Sequence, residues 1–299
     1  MKIENVPKEF QPNYKSTYPI CSSGKNMEEI FFELSSNHNW KNKDSKYIYL
    51  PIFWSSYYVI HGYDSSMKNL YEYLKSLDTT KKYFTIVQSA VGVFVDNEYD
   101  NILVFSAGGG GINKKNNSIK KIKFNGWERE VFNGEIGNFI LPLLYLPFPI
   151  NFFLKKDILC SFVGRFDTHP CRITMRDKFK NNSSYLLMET THYDEYINIM
   201  NRSKFGLCPR GYGYTSFRIF ETIMCETIPI YIWENNITLP MNDEIEWSKI
   251  CIIINSNELD KIPNLIENFD CDNALKIINN IKYKFFNFNY LCDYIINKL

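Results

Sequence analysis

Between Ser203 and Ile230 the chain reads SKFGLCPRGYGYTSFRIFETIMCETIPI. The apolar run FGLCP suits a buried strand. It ends at a loop holding Gly211 and Gly213, and the loop feeds a helix that starts near Thr215 and Ser216. A helix start offers unbonded N–H groups and the positive end of the macrodipole, so it favours an anion. Ser216 is of a type that caps such a start. Arg210, before the loop, and Arg218, in the first helical turn, carry guanidinium forks that can grip phosphate oxygens two at a time. This combination suits a diphosphate. Glu221 follows Arg218 by three residues and shares its helix face, where a carboxylate could accept hydrogen bonds from ribose hydroxyls. The same residues also fit a plainer arrangement: a surface Arg218–Glu221 pair, with glycines that only turn the chain.

Other chemistry is sparse. The eight cysteines stand singly, no CxxC pair exists and there are only four histidines, so no zinc site is expected. Cys160, Cys208 and Cys251 lie in apolar runs and read as small buried hydrophobes. Asp270-Cys271-Asp272 has the Asp-x-Asp form of a metal site but precedes a helix, where it reads as an acidic cap. Gly108–Gly111 suggests a loop that approaches a ligand, hinges a lid or is merely flexible.

The elements that must position these residues alternate. Apolar, β-rich runs at 47–53, 84–87 and 102–105 are separated by helical stripes at 27–34 and 67–77, the pattern of parallel βαβ units. At FILPLLYLPFPINFF, Pro142, Pro147 and Pro149 break the pattern and mark an interdomain linker. A second series follows: strands at 158–163, 185–188, 205–208, 228–233 and 250–254, with helices between and after them. The predicted organisation is two α/β domains, 1–149 and 150–285, followed by a terminal helix over 286–299. At 299 residues and 45% apolar content the chain can fill two such cores. The net charge of +1 excludes a protein that coats DNA. No apolar run reaches the roughly 20 residues of a membrane span, and the start lacks a signal-peptide core, so a soluble cytoplasmic protein is expected. The abundance of Asn, Ile and Lys reads as the base bias of an AT-rich genome, such as that of a large virus or a protist.

The segment CPRGYGYTSFRIFETIMCETIPI resembles the signature of the exostosin-like glycosyltransferases (family 47). SFVGRFDTHPCRITMRDKF, FILPLLYLPFP, YIYLPIFWSS and LP…IEWSKICIII resemble its flanking segments, so the likeness runs from about Tyr47 to Phe269. The resemblance implies an α/β protein of GT-B fold, with two Rossmann-like domains facing across a cleft, the first binding the acceptor and the second the donor, and a terminal helix returning to the first. It implies inverting transfer from a UDP-sugar to a glycan hydroxyl, without a bound metal or other cofactor. Carried onto this chain, Arg210, Gly211, Thr215, Ser216 and Arg218 would hold the diphosphate and Glu221 the ribose. Arg165, Arg172 and Arg176 are further phosphate candidates or else solvated helix charges. The acceptor's proton needs a general base from the first domain. His61 and Asp64, placed in a loop, are the first candidates, with Asp96 and Glu98 as rivals. Trp54, Tyr57 and Tyr58 offer an aromatic acceptor surface. The family's motif before its second strand is replaced by Lys81-Lys82-Tyr83-Phe84. A catalytically inactive binding subunit is therefore the alternative, and a second copy of the chain could be a further partner. A phosphoryl-transfer enzyme is disfavoured, because GYGYTSF has no P-loop lysine.

Overall fold

The computed structural model describes residues 1–15, 24–37, 44–61, 67–114, 119–124, 126–146, 148, 154–190 and 192–299. In chain order the elements are β1 (Lys2–Ile3), α1 (Met27–Asn37), β2 (Tyr47–Tyr49), α2 (Trp54–His61), α3 (Lys68–Ser76), β3 (Lys82–Val87), β4 (Val93–Val95), β5 (Ile102–Ser106), β6 (Ile112–Lys114), β7 (Ile119–Phe124), β8 (Trp127–Phe132) and β9 (Phe139–Ile140). They continue with β10 (Ile158–Val163), α4 (Pro170–Phe179), β11 (Tyr185–Met188), α5 (Tyr193–Arg202), β12 (Ser203–Pro209), α6 (Phe217–Met224), β13 (Ile228–Trp233), β14 (Ile252–Asn255), α7 (Ile262–Glu267), α8 (Cys271–Phe285) and α9 (Phe288–Lys298). Two compact units result. Met1–Lys120, Phe132–Pro147 and Asn287–Leu299 form the first; Lys121–Val131 and Phe148–Phe286 form the second. The expected boundary at 149/150 falls outside the described residues.

The first unit is built on a parallel sheet of order β1-β2-β3-β5-β9, which follows the chain without reversal. Its core is aromatic. Tyr49 stacks on Phe84 and Phe105 on Phe139, each at 5.0 Å between ring centres. The terminal helix α9 also belongs here: Phe288 meets Phe31 of α1 edge-on, and Tyr294 meets Phe139. WSSYYVIH forms the helix α2. The spacing of Trp54, Tyr57 and Tyr58 gives that helix one aromatic face, and all three are buried. Trp54 Nε1 donates to Thr85 Oγ1 (2.8 Å) and Tyr58 donates to the Phe94 carbonyl (2.8 Å). They are core residues, not the acceptor surface expected of them. His61 ends the same helix instead of lying in a loop, its ring 4.2 Å from that of Tyr57.

Gly108–Gly111 is likewise packed, not open. A Cβ at Gly108 would lie 2.3 Å from the Ser89 carbonyl, and one at Gly110 would lie 2.3 Å from the Gly92 nitrogen. The glycines let two backbone segments touch where no side chain would fit.

The second unit's sheet is also parallel, of order β11-β10-β12-β13-β14. Numbered by appearance this is 2-1-3-4-5, a doubly wound order whose direction reverses between β10 and β12. The inner strands β12 and β13 are covered on both faces, which is why they read as unbroken apolar runs. Asp270 caps α8 by accepting from Asn273 N (3.1 Å), the cap role expected of it. Asn287 caps α9, so the final helical stretch is two helices. Cys160, Cys208 and Cys251 are buried free thiols, as expected. No helix among the described residues is long and apolar enough to cross a membrane.

Replacing Gly110 with Ala should destabilise the first unit by at least about 1–3 kcal/mol, the usual cost of overpacking. Urea denaturation checks this, and an unchanged midpoint would contradict the packed reading.

Candidate functional site: arginines at the switch point of the second sheet

In open α/β sheets the crevice outside the carboxyl ends of the strands, at the point of reversal, is where ligands bind. Here that point lies at the ends of β10 and β12. β12 delivers Arg210, and seven residues later α6 begins with Ser216 as its cap, Oγ accepting from Arg218 N at 3.1 Å. The loop–helix construction expected from the sequence is present.

Arg218 is 8% exposed. Its guanidinium crosses from α6 to the end of β10, where Nη2 donates to the Val163 carbonyl. It lies over the rings of Phe162 (4.6 Å) and Tyr196 (5.4 Å). A Cβ at Gly164 would sit 2.7 Å from Nη2, so the glycine after β10 leaves the guanidinium room. Arg210 is 3% exposed and covers the Tyr214 ring at 4.3 Å. Burial pulls its pKa down, and the nearby Glu234 carboxylate opposes that.

The other arginines divide. Arg172, in the first turn of α4, is buried and donates Nε to the Arg210 carbonyl (2.8 Å) and Nη1 to the Arg165 carbonyl (2.9 Å). It ties the end of β12 to the segment after β10, and its donors hold backbone. Arg165 is exposed and paired bidentately with Asp167 (2.9 and 2.7 Å), a surface pair of small energetic weight. Arg176 is half-buried and pairs with its neighbour Asp177. Glu221 is buried and accepts a hydrogen bond from the Tyr196 hydroxyl. Arg218 and Glu221 are therefore interior groups, not a surface pair. Gly211 packs against Arg172, where a Cβ would meet Nη2 at 3.1 Å. Thr215 lies half-buried in the same loop.

Two neighbours escaped the sequence reading. His169 caps α4, with Nδ1 accepting from Cys171 N (3.3 Å), while Nε2 lies 3.3 Å from Glu234 Oε2. Burial and the charges of Arg210 and Arg172 push its pKa down to about 3, so the ring is neutral. His169, Cys171 and Glu234 bring possible ligand atoms within 4.8 Å of one another. Such a trio can hold a divalent ion in other settings, but Arg172 and Arg210 set positive charge against one here. Nothing local in the sequence joins His169 to Glu234; only the sheet does.

The first unit has its own polar cluster where β3 ends. Glu28 Oε1 accepts from Gln88 N (2.9 Å) and Ser55 Oγ (2.8 Å). Glu29 accepts from Ser56 Oγ (2.8 Å) and from Asn26 N. Gln88 bridges to Met27 N and to Asn26 (both 2.8 Å). Burial raises both carboxyl pKa values, that of Glu29 to about 7. In sequence these glutamates look like the ordinary acidic first turn of a helix, and so they were missed. Of the bases expected instead, Asp64 lies outside the described residues. Asp96 and Glu98 are exposed, and Asp96 pairs with Lys75.

Residues 153–269 match the family profile described as the exostosin GT47 domain. A probable glucuronosyltransferase of Oryza sativa subsp. japonica is 28% identical over 113 residues, covering 38% of this chain and 26% of that protein. A second, from the same plant, is 26% identical over 138 residues (42% and 32%). A probable glycosyltransferase of Arabidopsis thaliana is 24% identical over 181 residues (55% and 38%). The chain thus spans between 26% and 38% of the length of these relatives. The strand, arginine loop and capped helix described above all fall inside the stretch that matches the exostosin GT47 domain.

Proposed function

We propose that the chain is a glycosyltransferase that takes its sugar from a UDP-sugar and inverts the anomeric centre. The observation that carries this reading is the pair of buried guanidiniums, Arg210 and Arg218, held at the switch point beside the capped start of α6. The acceptor hydroxyl attacks C1 of the donor sugar as the bond from C1 to the diphosphate oxygen breaks. UDP departs with the electron pair. Arg210, Arg218 and the helix N-terminus stabilise the charge that develops on it, in a site where water does not screen them. Glu221, oriented by Tyr196, receives the ribose hydroxyls. The relatives' names make UDP-glucuronate the first donor to test. This reading takes the two units as the halves of a GT-B enzyme.

The acceptor's proton is assigned to Glu29. It sits at the carboxyl end of β3, the sheet edge where a substrate would approach. Its proton affinity near neutrality suits a general base at physiological pH.

Arg210→Ala and Arg218→Ala should each remove a charge-assisted contact worth about 1.5–3 kcal/mol of UDP affinity. Arg165→Ala should change it by less than about 0.5 kcal/mol. Calorimetric titration with UDP measures all three, and equal affinities would refute the donor site. Arg218→Lys separates fork from charge, and it should recover only part of the loss. For the base, transfer should rise with pH through about 7 and then level, because Glu29 must be ionised to take the proton. Glu29→Gln should lower kcat by about 10²–10⁴ and abolish that rise while sparing UDP affinity. A pH profile unchanged in the variant removes Glu29 from the mechanism. UDP binding with no transfer from any donor would instead favour a binding subunit.

A further inference from the structure

Near the arginines of the second unit stands a carboxylate that the proposed reaction does not use. Glu234 is the first residue after β13, and its side chain is 25% exposed. It lies close enough to Arg210 for each to shift the other's proton affinity. A negative charge in that place works against a diphosphate. Its use must lie with another part of a ligand.

The position is built. Asn255 Nδ2, at the end of β14, donates to the Glu234 carbonyl (3.2 Å). Thr238 Oγ1 donates to the Tyr214 carbonyl (3.1 Å), and Thr238 N donates to the Tyr231 hydroxyl (3.0 Å). The loop after β13 is thereby fastened to the loop after β12. His169 supports the carboxylate itself. The imidazole is 2% exposed, and its Nδ1 accepts from Cys171 N. In the neutral ring Nε2 therefore carries the hydrogen. That buried N–H makes no well-angled hydrogen bond and lies 3.3 Å from Glu234 Oε2. A protonated Nε2 cannot ligate a metal, but it can steady a carboxylate. Contacts of this kind often tighten only when substrate is bound.

The order of the strand ends supplies the ligand. Arg218 reaches the end of β10 and lies over Tyr196, which donates to Glu221, the residue assigned to the ribose. Arg210 and the start of α6 follow β12, the next strand of the sheet. Glu234 follows β13, one strand spacing further on, roughly 4.8 Å. In a nucleotide sugar the diphosphate separates the nucleoside from the sugar. With the nucleoside toward β10 and the diphosphate at the end of β12, the sugar extends toward β13. We propose that Glu234, steadied by His169, binds hydroxyl groups of the transferred sugar. Its two oxygens can accept from two neighbouring hydroxyls. His169 is a positioning residue that acts through Glu234. The inference rests on the donor reading above and concerns only the part of the donor beyond the diphosphate.

The test is calorimetry on the full chain with UDP and with UDP-glucose, UDP-galactose, UDP-N-acetylglucosamine, UDP-xylose and UDP-glucuronate. For the UDP-sugar that the wild type binds most tightly, Glu234→Ala should weaken binding at least about tenfold. UDP itself should bind as tightly as before or more tightly, because a like charge has left. His169→Asn keeps an acceptor for Cys171 N and loses the Nε2–H. It should weaken the UDP-sugar by about threefold or more and leave UDP unchanged. His169→Gln, which can return an N–H toward Glu234, should recover part of that loss. Equal losses for UDP and the UDP-sugar in Glu234→Ala would overturn the proposal, since Glu234 would then only support Arg210. Unchanged affinity for both would overturn it as well. UDP binding that fails, or that ignores Arg210 and Arg218, would refute the donor site and this subsite with it. UDP binding that needs both arginines, beside a UDP-sugar indifferent to Glu234, would refute the sugar subsite alone.

Discussion

Burying a guanidinium is costly unless its charge and donors are met, and the second unit buries three of them near the switch point of its sheet: Arg172, Arg210 and Arg218. Each is held by a different device. Arg172 is tied to backbone carbonyls on both sides of the reversal. Arg218 lies over aromatic rings and reaches the Val163 carbonyl across a glycine that leaves room for it. Arg210 sits on Tyr214 with Glu234 nearby. The end of β10, the end of β12, the glycine after β10 and the start of α6 all have to be where they are for these contacts to exist. On the proposed function, a cation fixed in this way needs no reorganisation when the diphosphate binds, which is the condition for strong electrostatic stabilisation of a leaving group.

The first unit handles the opposite charge. Two adjacent carboxyls, Glu28 and Glu29, are drawn inside by α1 and met by hydroxyls and N–H groups from α2 and the end of β3. The neutral side chains around them cannot cancel a full charge, so burial leaves the proton affinity of Glu29 raised to about 7. The second unit's sheet edge is thus rich in buried cations, and the first unit's holds a carboxyl of raised proton affinity.

Much of this was legible in the sequence. The second sheet, the Gly-rich turn, Ser216 as a cap and the buried cysteines follow from local pattern, because strand runs and helix starts are local properties. Asp270 as a helix cap was readable for the same reason. Burial and tertiary pairing were not. Trp54, Tyr57 and Tyr58 read as a candidate acceptor surface, yet helical spacing turned them inward. Gly108–Gly111 looked open because its partner, the backbone at Ser89–Gly92, is distant in the chain. Arg165 and Arg172 looked equivalent, and only the fold exposes one and embeds the other. His169 and Glu234, or Glu29 with Ser56, meet through sheet topology that no local motif records.

A structure of the chain bound to UDP tests the central claim most directly. The account predicts the diphosphate at the start of α6, within hydrogen-bond reach of the Arg210 and Arg218 guanidiniums, with the ribose toward Glu221. A nucleotide seated elsewhere, or a diphosphate that touches neither arginine, would contradict it.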